Sequence, residues 1–140
     1  MLLVYKVPNE PTAGRVYVWR KLKRLGAVLL HDAVWVLPAT AHTREQLRWL
    51  AAEIVELRGE ASVWESRLAL GSDEDALVAQ FRAAVDAPYK EILNALKRKD
   101  ADLPALSRRY QQMRSLDYFN SEWGERVRAA FIAADGRSDQ

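Results

Sequence analysis

Between Pro11 and His31 stand five basic residues, Arg15, Arg20, Lys21, Lys23 and Arg24, and no acidic one. A guanidinium suits bidentate contact with a phosphate or a tetrahedral oxyanion, and an ammonium adds a point charge. The 140-residue chain carries a net charge of only +2, so the remainder is net acidic and the positive potential is focused on one short element. With no acid inside that element the cations cannot pair locally. Phosphates relieve their repulsion and release counterions. The plainer alternative is a solvated face that pairs with acids of a second helix or with Asp73, Glu74 and Asp75. Arg108, Arg109 and Arg114 read as an ordinary helix exterior, where pairs at a spacing of four are common.

Other chemistries lack their residues. The absence of cysteine excludes disulfides, thiolate catalysis and thiolate metal sites. Neither His31 nor His42 has a second histidine three or four residues on, so no metal site is expected. Ser62, Ser66 and Ser72 have no base placed near them by the sequence, and there is no glycine-rich phosphate loop. No catalytic residue and no cofactor are expected. The five tryptophans, Trp19, Trp35, Trp49, Trp64 and Trp123, read as core packing or as a contact between two sheets rather than as a base-stacking platform. Were Trp35 exposed, it would mark an interface.

The elements that must position the cations follow from apolar spacing. Residues 2–7 form an apolar run ended by Pro8, expected as a strand buried on both faces. A helix over 12–25 places Val18, Trp19, Leu22 and Leu25 on one face and Arg20, Lys21, Lys23 and Arg24 opposite, with Gly26 as its left-handed stop. Residues 27–30 and 33–37 read as a hairpin turning at His31-Asp32. Thr43 with Gln46 predicts a capping box for a helix that turns Leu47, Leu50, Ala51, Ile54 and Leu57 inward and closes at Gly59. Residues 60–67 read as an edge strand.

Strand, helix, strand, strand, helix, strand predicts an α+β fold. It is a ferredoxin-like βαββαβ sandwich over 1–70, with the first and third strands central. Residues 71–136 read as a helical extension of the same single domain, 1–140, covering the other sheet face or extending the core. Its signals are a Ser72–Asp75 cap, a helix kinked or restarted near Pro88, a helix carrying Leu103 to Leu116, and a last helix after Asn120-Ser121. Residues 136–140 read as a frayed tail. The first residues form no signal peptide, and no run approaches the ~18 apolar residues of a membrane span, so a cytoplasmic protein is expected. Open sheet edges predict a homodimer.

Three segments carry a resemblance: Tyr5-Lys6-Val7-Pro8-Asn9-Glu10-Pro11, the run from Arg15 to Ala27, and Ala33-Val34-Trp35-Val36-Leu37-Pro38. Together with residues 47–54 and the helix break at Asp117-Tyr118-Phe119, they resemble the N-terminal domain of ChrB-type chromate-resistance regulators. That resemblance implies a transcriptional regulator that binds promoter DNA and responds to chromate. Longer members carry a second domain that takes part in sensing, so the alternative is an oxyanion-binding module working with a separate partner. Pro88 stands where the family's helix runs on. A more distant likeness is to small CRISPR-associated nucleases and to a domain of phenylacetate-pathway repressors. Those nucleases use an acid at the end of the first strand to hold a metal. Here Lys6, Val7 and Pro8 stand in its place, with Glu10 beyond them.

Overall fold

A computed structural model describes residues 1–71 and 74–138. Ser72 of the expected Ser72–Asp75 cap, Asp73 of the expected acidic pairing group, and residues 139–140 of the expected frayed tail lie outside the described residues. The chain divides into two compact units, Met1–Gly71 and Ser72–Gln140. The fold is α+β, with one four-stranded antiparallel sheet and five helices among the described residues.

The first unit contains β1 (Leu2–Lys6), α1 (Thr12–Arg24), β2 (Val28–His31), β3 (Val34–Val36), α2 (Ala41–Glu56) and β4 (Glu60–Trp64). Strand order is β2-β3-β1-β4, so the two central strands are β1 and β3, as their apolar runs predict. Register places Leu3 opposite Trp35 on one side and Val63 on the other. Leu3 and Trp35 are buried on this face, and α2 packs on β1 and β4. The next residue, Val4, faces the other way and is 37% exposed, so β1 is not buried on both faces. An apolar run of this length does not distinguish a two-sided strand from one whose second face stays partly open.

Gly26 stops α1 in the expected way. Its φ is 77°, its N–H donates to Lys23 O at 3.0 Å, and the Ala27 N–H donates to Leu22 O at 3.0 Å. This is a Schellman motif, which satisfies carbonyls that the helix end leaves free. The hairpin turns at Asp32-Ala33, one residue later than its sequence suggests. A bulge between Leu29 and His31 absorbs the extra residue, and Asp32 takes a φ of 35°.

The capping box of α2 is likewise displaced. Thr40, not Thr43, is the N-cap, and Thr43 is the third helical residue. The Thr43 N–H donates to Thr40 Oγ1 at 3.0 Å and the Thr40 N–H donates to Thr43 Oγ1 at 2.8 Å. Buried Thr43 also donates its hydroxyl to Pro38 O at 2.6 Å. Thr43→Val keeps the shape but strips the Thr40 amide and the Pro38 carbonyl of their partner. It is expected to cost about 2 kcal/mol, read as a lower urea midpoint with unchanged slope. A midpoint equal to the parent's would show that the box contributes nothing.

The far end of α2 closes on Arg58, which takes a φ of 66°, not on Gly59. Gly59 is required for another reason. A Cβ there would lie 2.3 Å from Lys6 O and 2.9 Å from Ile54 Cγ2, because the chain comes alongside β1 at this point, where Glu60 pairs with Lys6.

The second unit contains α3 (Glu74–Leu96), α4 (Leu103–Ser115) and α5 (Glu122–Ser138). Pro88 lies inside α3 and starts no new helix. Val85, Tyr89, Ile92, Tyr110 and Val127 form the buried cluster. The Asp102 side chain caps α4 by accepting from the Ala105 N–H at 3.2 Å. A polar network fixes the turn into α5. Asp117 accepts from the Ser121 N–H at 2.9 Å and from the Tyr89 hydroxyl at 3.0 Å, while the Ser121 hydroxyl donates to Asp86.

Burial, reinforced by the hydrogen bond to Asp117, raises the Tyr89 pKa above its ordinary value of about 10. The unfolded phenol therefore ionises first as pH rises. Its contribution to stability is whole below about pH 10 and is lost above it. Tyr89→Phe should cost about 1 kcal/mol at neutral pH and flatten the alkaline decline in stability. An equally steep decline in the variant would assign that decline to other groups, such as Tyr118, whose pKa burial also raises.

Candidate functional site

Helix α1 buries Gly14, Val18 and Leu22, and this stripe decides where its other side chains go. At about 100° per residue, Arg20, Lys23 and Arg24 point away from the stripe, and all three are exposed. Arg15 and Lys21 fall on opposite flanks. Among the described residues none of the five cations is in an ion pair. The pairs that form there are Arg44–Glu65, Arg109–Glu91 and Arg128–Glu125. Three of the five, Lys21, Lys23 and Arg24, occupy the last turn, where they complement the negative end of the helix dipole. That local role is worth about 0.3–1 kcal/mol per charge and leaves their outward charge uncompensated.

Lys21 departs from the expected open face. It is half-buried on the flank towards α2 and lines a cleft of about 300 Å³ with Glu45, Trp49 and Glu53. Its Nζ lies 5.7 Å from the centre of the Tyr17 ring, and the Tyr17 hydroxyl donates to Glu53. The acids of α2 thus approach one cation of the group and leave the others.

The opposite flank holds an arrangement that sequence reasoning missed. Arg15, Trp19 and Arg20 line a groove of about 850 Å³ between α1 and the β2–β3 hairpin, with Tyr5, Asp32 and Trp35 on its other walls. Trp19 is 49% exposed, against its expected place on the core face of α1. It lies on the edge of the apolar stripe, where the groove takes the place of a packing partner. Lys23 Nζ stands 5.7 Å from its ring centre. The sequence does contain a signal, since Arg15, Trp19 and Lys23 follow one another at a spacing of four and so form one row.

The other tryptophans divide in the same unexpected way. Trp49 is 65% and Trp64 58% exposed, while Trp35 is 3% exposed and so is not the exposed interface residue considered from the sequence. Arg109 pairs with Glu91, which fits the helix-exterior reading of that position. Among the described residues no group of three or more His, Asp or Glu side chains is placed to hold a metal ion, and no helix is long and apolar enough to cross a membrane.

A family model described as Protein ChrB, N-terminal, matches residues 15–112. Protein ChrB of Cupriavidus metallidurans is 29% identical over 141 aligned residues, which cover 91% of this chain and 42% of that protein. The chain therefore spans less than half the length of that curated relative. No solved structure matches it.

Proposed function

The chain belongs to the ChrB N-terminal family, and from that premise we propose that it is a DNA-binding module of a chromate-resistance regulator, held to the phosphate backbone by the exposed cations of α1. The observation that carries the reading is the set of cations on α1 that have no ion-pair partner among the described residues. Arg20, Lys23 and Arg24 stand outermost and take phosphates. Arg15 extends the surface along one flank, and Lys21 adds charge from the other, reduced by Glu45 and Glu53. Phosphate contacts set orientation and affinity rather than sequence choice.

The β-α-β-β-α-β order and the strand order β2-β3-β1-β4 support reading the first unit as a ferredoxin-like sandwich. Such a sheet presents α1 on one layer. Its outer strands, β2 and β4, pair with no further described strand, which suits association with a second copy. We place the module in the cytoplasm, beside its DNA.

A second reading has its own observation. Arg15 and Arg20 line a groove where a chromate ion can be bound without DNA, the module then acting with a separate partner. Fluorescence anisotropy separates the two, with duplexes of equal length from the gene's own upstream region and from scrambled sequence, with and without chromate, across a salt series. Binding that weakens steeply with salt supports the first reading. Absence of duplex binding at low salt, with chromate binding retained, replaces it with the second.

A further inference from the structure

The groove between α1 and the β2–β3 hairpin combines two cations of the backbone-binding surface, Arg15 and Arg20, with features that the backbone-binding role does not use. It measures about 850 Å³, the size of a small-molecule site and far larger than a bare tetrahedral oxyanion needs. One wall carries Trp19, half-exposed, with Arg15 and Arg20 beside it. The start of α1 opens at one end. Its N-cap is Pro11, no side chain caps its first N–H groups, and its first turn holds no acid, so the positive end of the helix dipole stays open.

A second observation is independent of that charge. Trp35 lines the groove, is 3% exposed, and its indole Nε1–H has no acceptor among the described residues. A buried donor without a partner costs free energy, so the Trp35 side chain that lines this groove is held there at a cost. The site also holds one carboxylate, Asp32. It repels a simple anion but accepts from an amine or a hydroxyl.

Flat aromatic surface, cations, a helix start, an unpaired indole and one carboxylate together describe one ligand chemistry. We propose that this groove binds a nucleotide, its base stacked on Trp19 and its phosphate held by Arg15 and Arg20 near the start of α1. Stacking on an aromatic side chain tolerates any base, and the helix start with two guanidiniums suits a phosphate. Asp32 then meets a sugar hydroxyl or an exocyclic amine. A base inside a duplex is stacked on its neighbours and cannot enter, so the source is a free nucleotide or an unstacked nucleotide of a single strand. The site shares Arg15 and Arg20 with duplex binding, whose other outward cations, Lys23 and Arg24, lie outside the groove lining.

The test follows the indole N–H resonances of the 15N-labelled full chain, with Trp35 and Trp19 assigned through Trp35→Phe and Trp19→Phe. Nucleoside monophosphates, a short single-stranded oligonucleotide, inorganic phosphate and chromate are titrated separately. Saturable shifts at Trp35 and Trp19 but not at Trp49, Trp64 or Trp123 are expected from the nucleotides. Arg15→Gln, at an exposed position, should weaken that binding by about tenfold. Tighter binding of the oligonucleotide than of the monophosphates identifies the single strand as the source, and the reverse identifies the free nucleotide. Three outcomes overturn the proposal: no saturable shift with either probe, an affinity unchanged in Arg15→Gln, or phosphate or chromate binding as tightly as the nucleotides. Loss of duplex binding with the indole shifts intact would sink only the backbone-binding role.

Discussion

Charge reversal of Lys23 and Arg24 together lowers affinity for duplex DNA by about 100-fold at moderate salt, on specific and scrambled sequences alike. Both side chains are exposed, neither is in an ion pair among the described residues, and α1 carries no acid that would be left alone. Lys23→Glu with Arg24→Glu changes the local charge by four and turns two attractions into repulsions. The cost to folding comes from the helix dipole, reversed at two positions, and from the lost Lys23–Trp19 contact, about 2 kcal/mol together, so affinity is read well below the variant's unfolding temperature. Lys21→Glu provides the contrast. Beside Glu45 and Glu53 the new carboxylate meets two like charges, so it destabilises the α1–α2 contact more than it weakens DNA binding. Equal losses of affinity in the two variants would mean that the flanks of α1 matter no less than its outer face.

The largest expected loss of stability is at Gly59. Alanine there places Cβ 2.3 Å from a backbone oxygen of β1, and a backbone cannot rotate out of the way as a side chain does. Relief requires α2 and β4 to part from β1, at an expected cost of about 3 kcal/mol. Arg58→Gly makes the comparison sharp. Arg58 holds the left-handed conformation, with φ at 66°, so glycine removes strain there and should be neutral or stabilising by up to about 1 kcal/mol. Urea denaturation of both variants decides it. A large loss at Arg58 with a mild one at Gly59 would reverse the roles assigned to the two residues.

This pair of positions also shows why part of the fold was legible in the sequence and part was not. Gly26 was placed correctly because a helix stop is a local event, complete within six residues. Gly59 was found for the wrong reason, since the close approach that demands it comes from β1, more than fifty residues earlier. The box of α2 slipped by three because Thr40–Thr43 and Thr43–Gln46 both offer capping chemistry at the same spacing. The hydrogen bond to Pro38 O gives Thr43 its place. Central strands β1 and β3 were readable from their uninterrupted apolar runs, while the partly open face that exposes Val4 and Trp64 was not.

The same distinction governs the site. Arg20, Lys23 and Arg24 were assigned to an open face by the helical period alone, and they occupy one. Lys21 and Trp19 lie on the borders of the apolar stripe, where period alone cannot say which neighbour is present. One meets the acids of α2 and the other overlooks a groove. The groove draws on β1, α1, the hairpin turn and β3. No window of sequence contains it, and only the spacing of Arg15, Trp19 and Lys23 hints at its wall.

Duplex binding through α1 rests on phosphates taking the place of counterions at its outer cations. The most direct measurement is the slope of the logarithm of duplex affinity against the logarithm of salt concentration, for the parent and for Lys23→Glu/Arg24→Glu. The variant slope is expected to be shallower by about 1.8, two phosphate contacts at about 0.9 each. Parallel lines for the two proteins would contradict it.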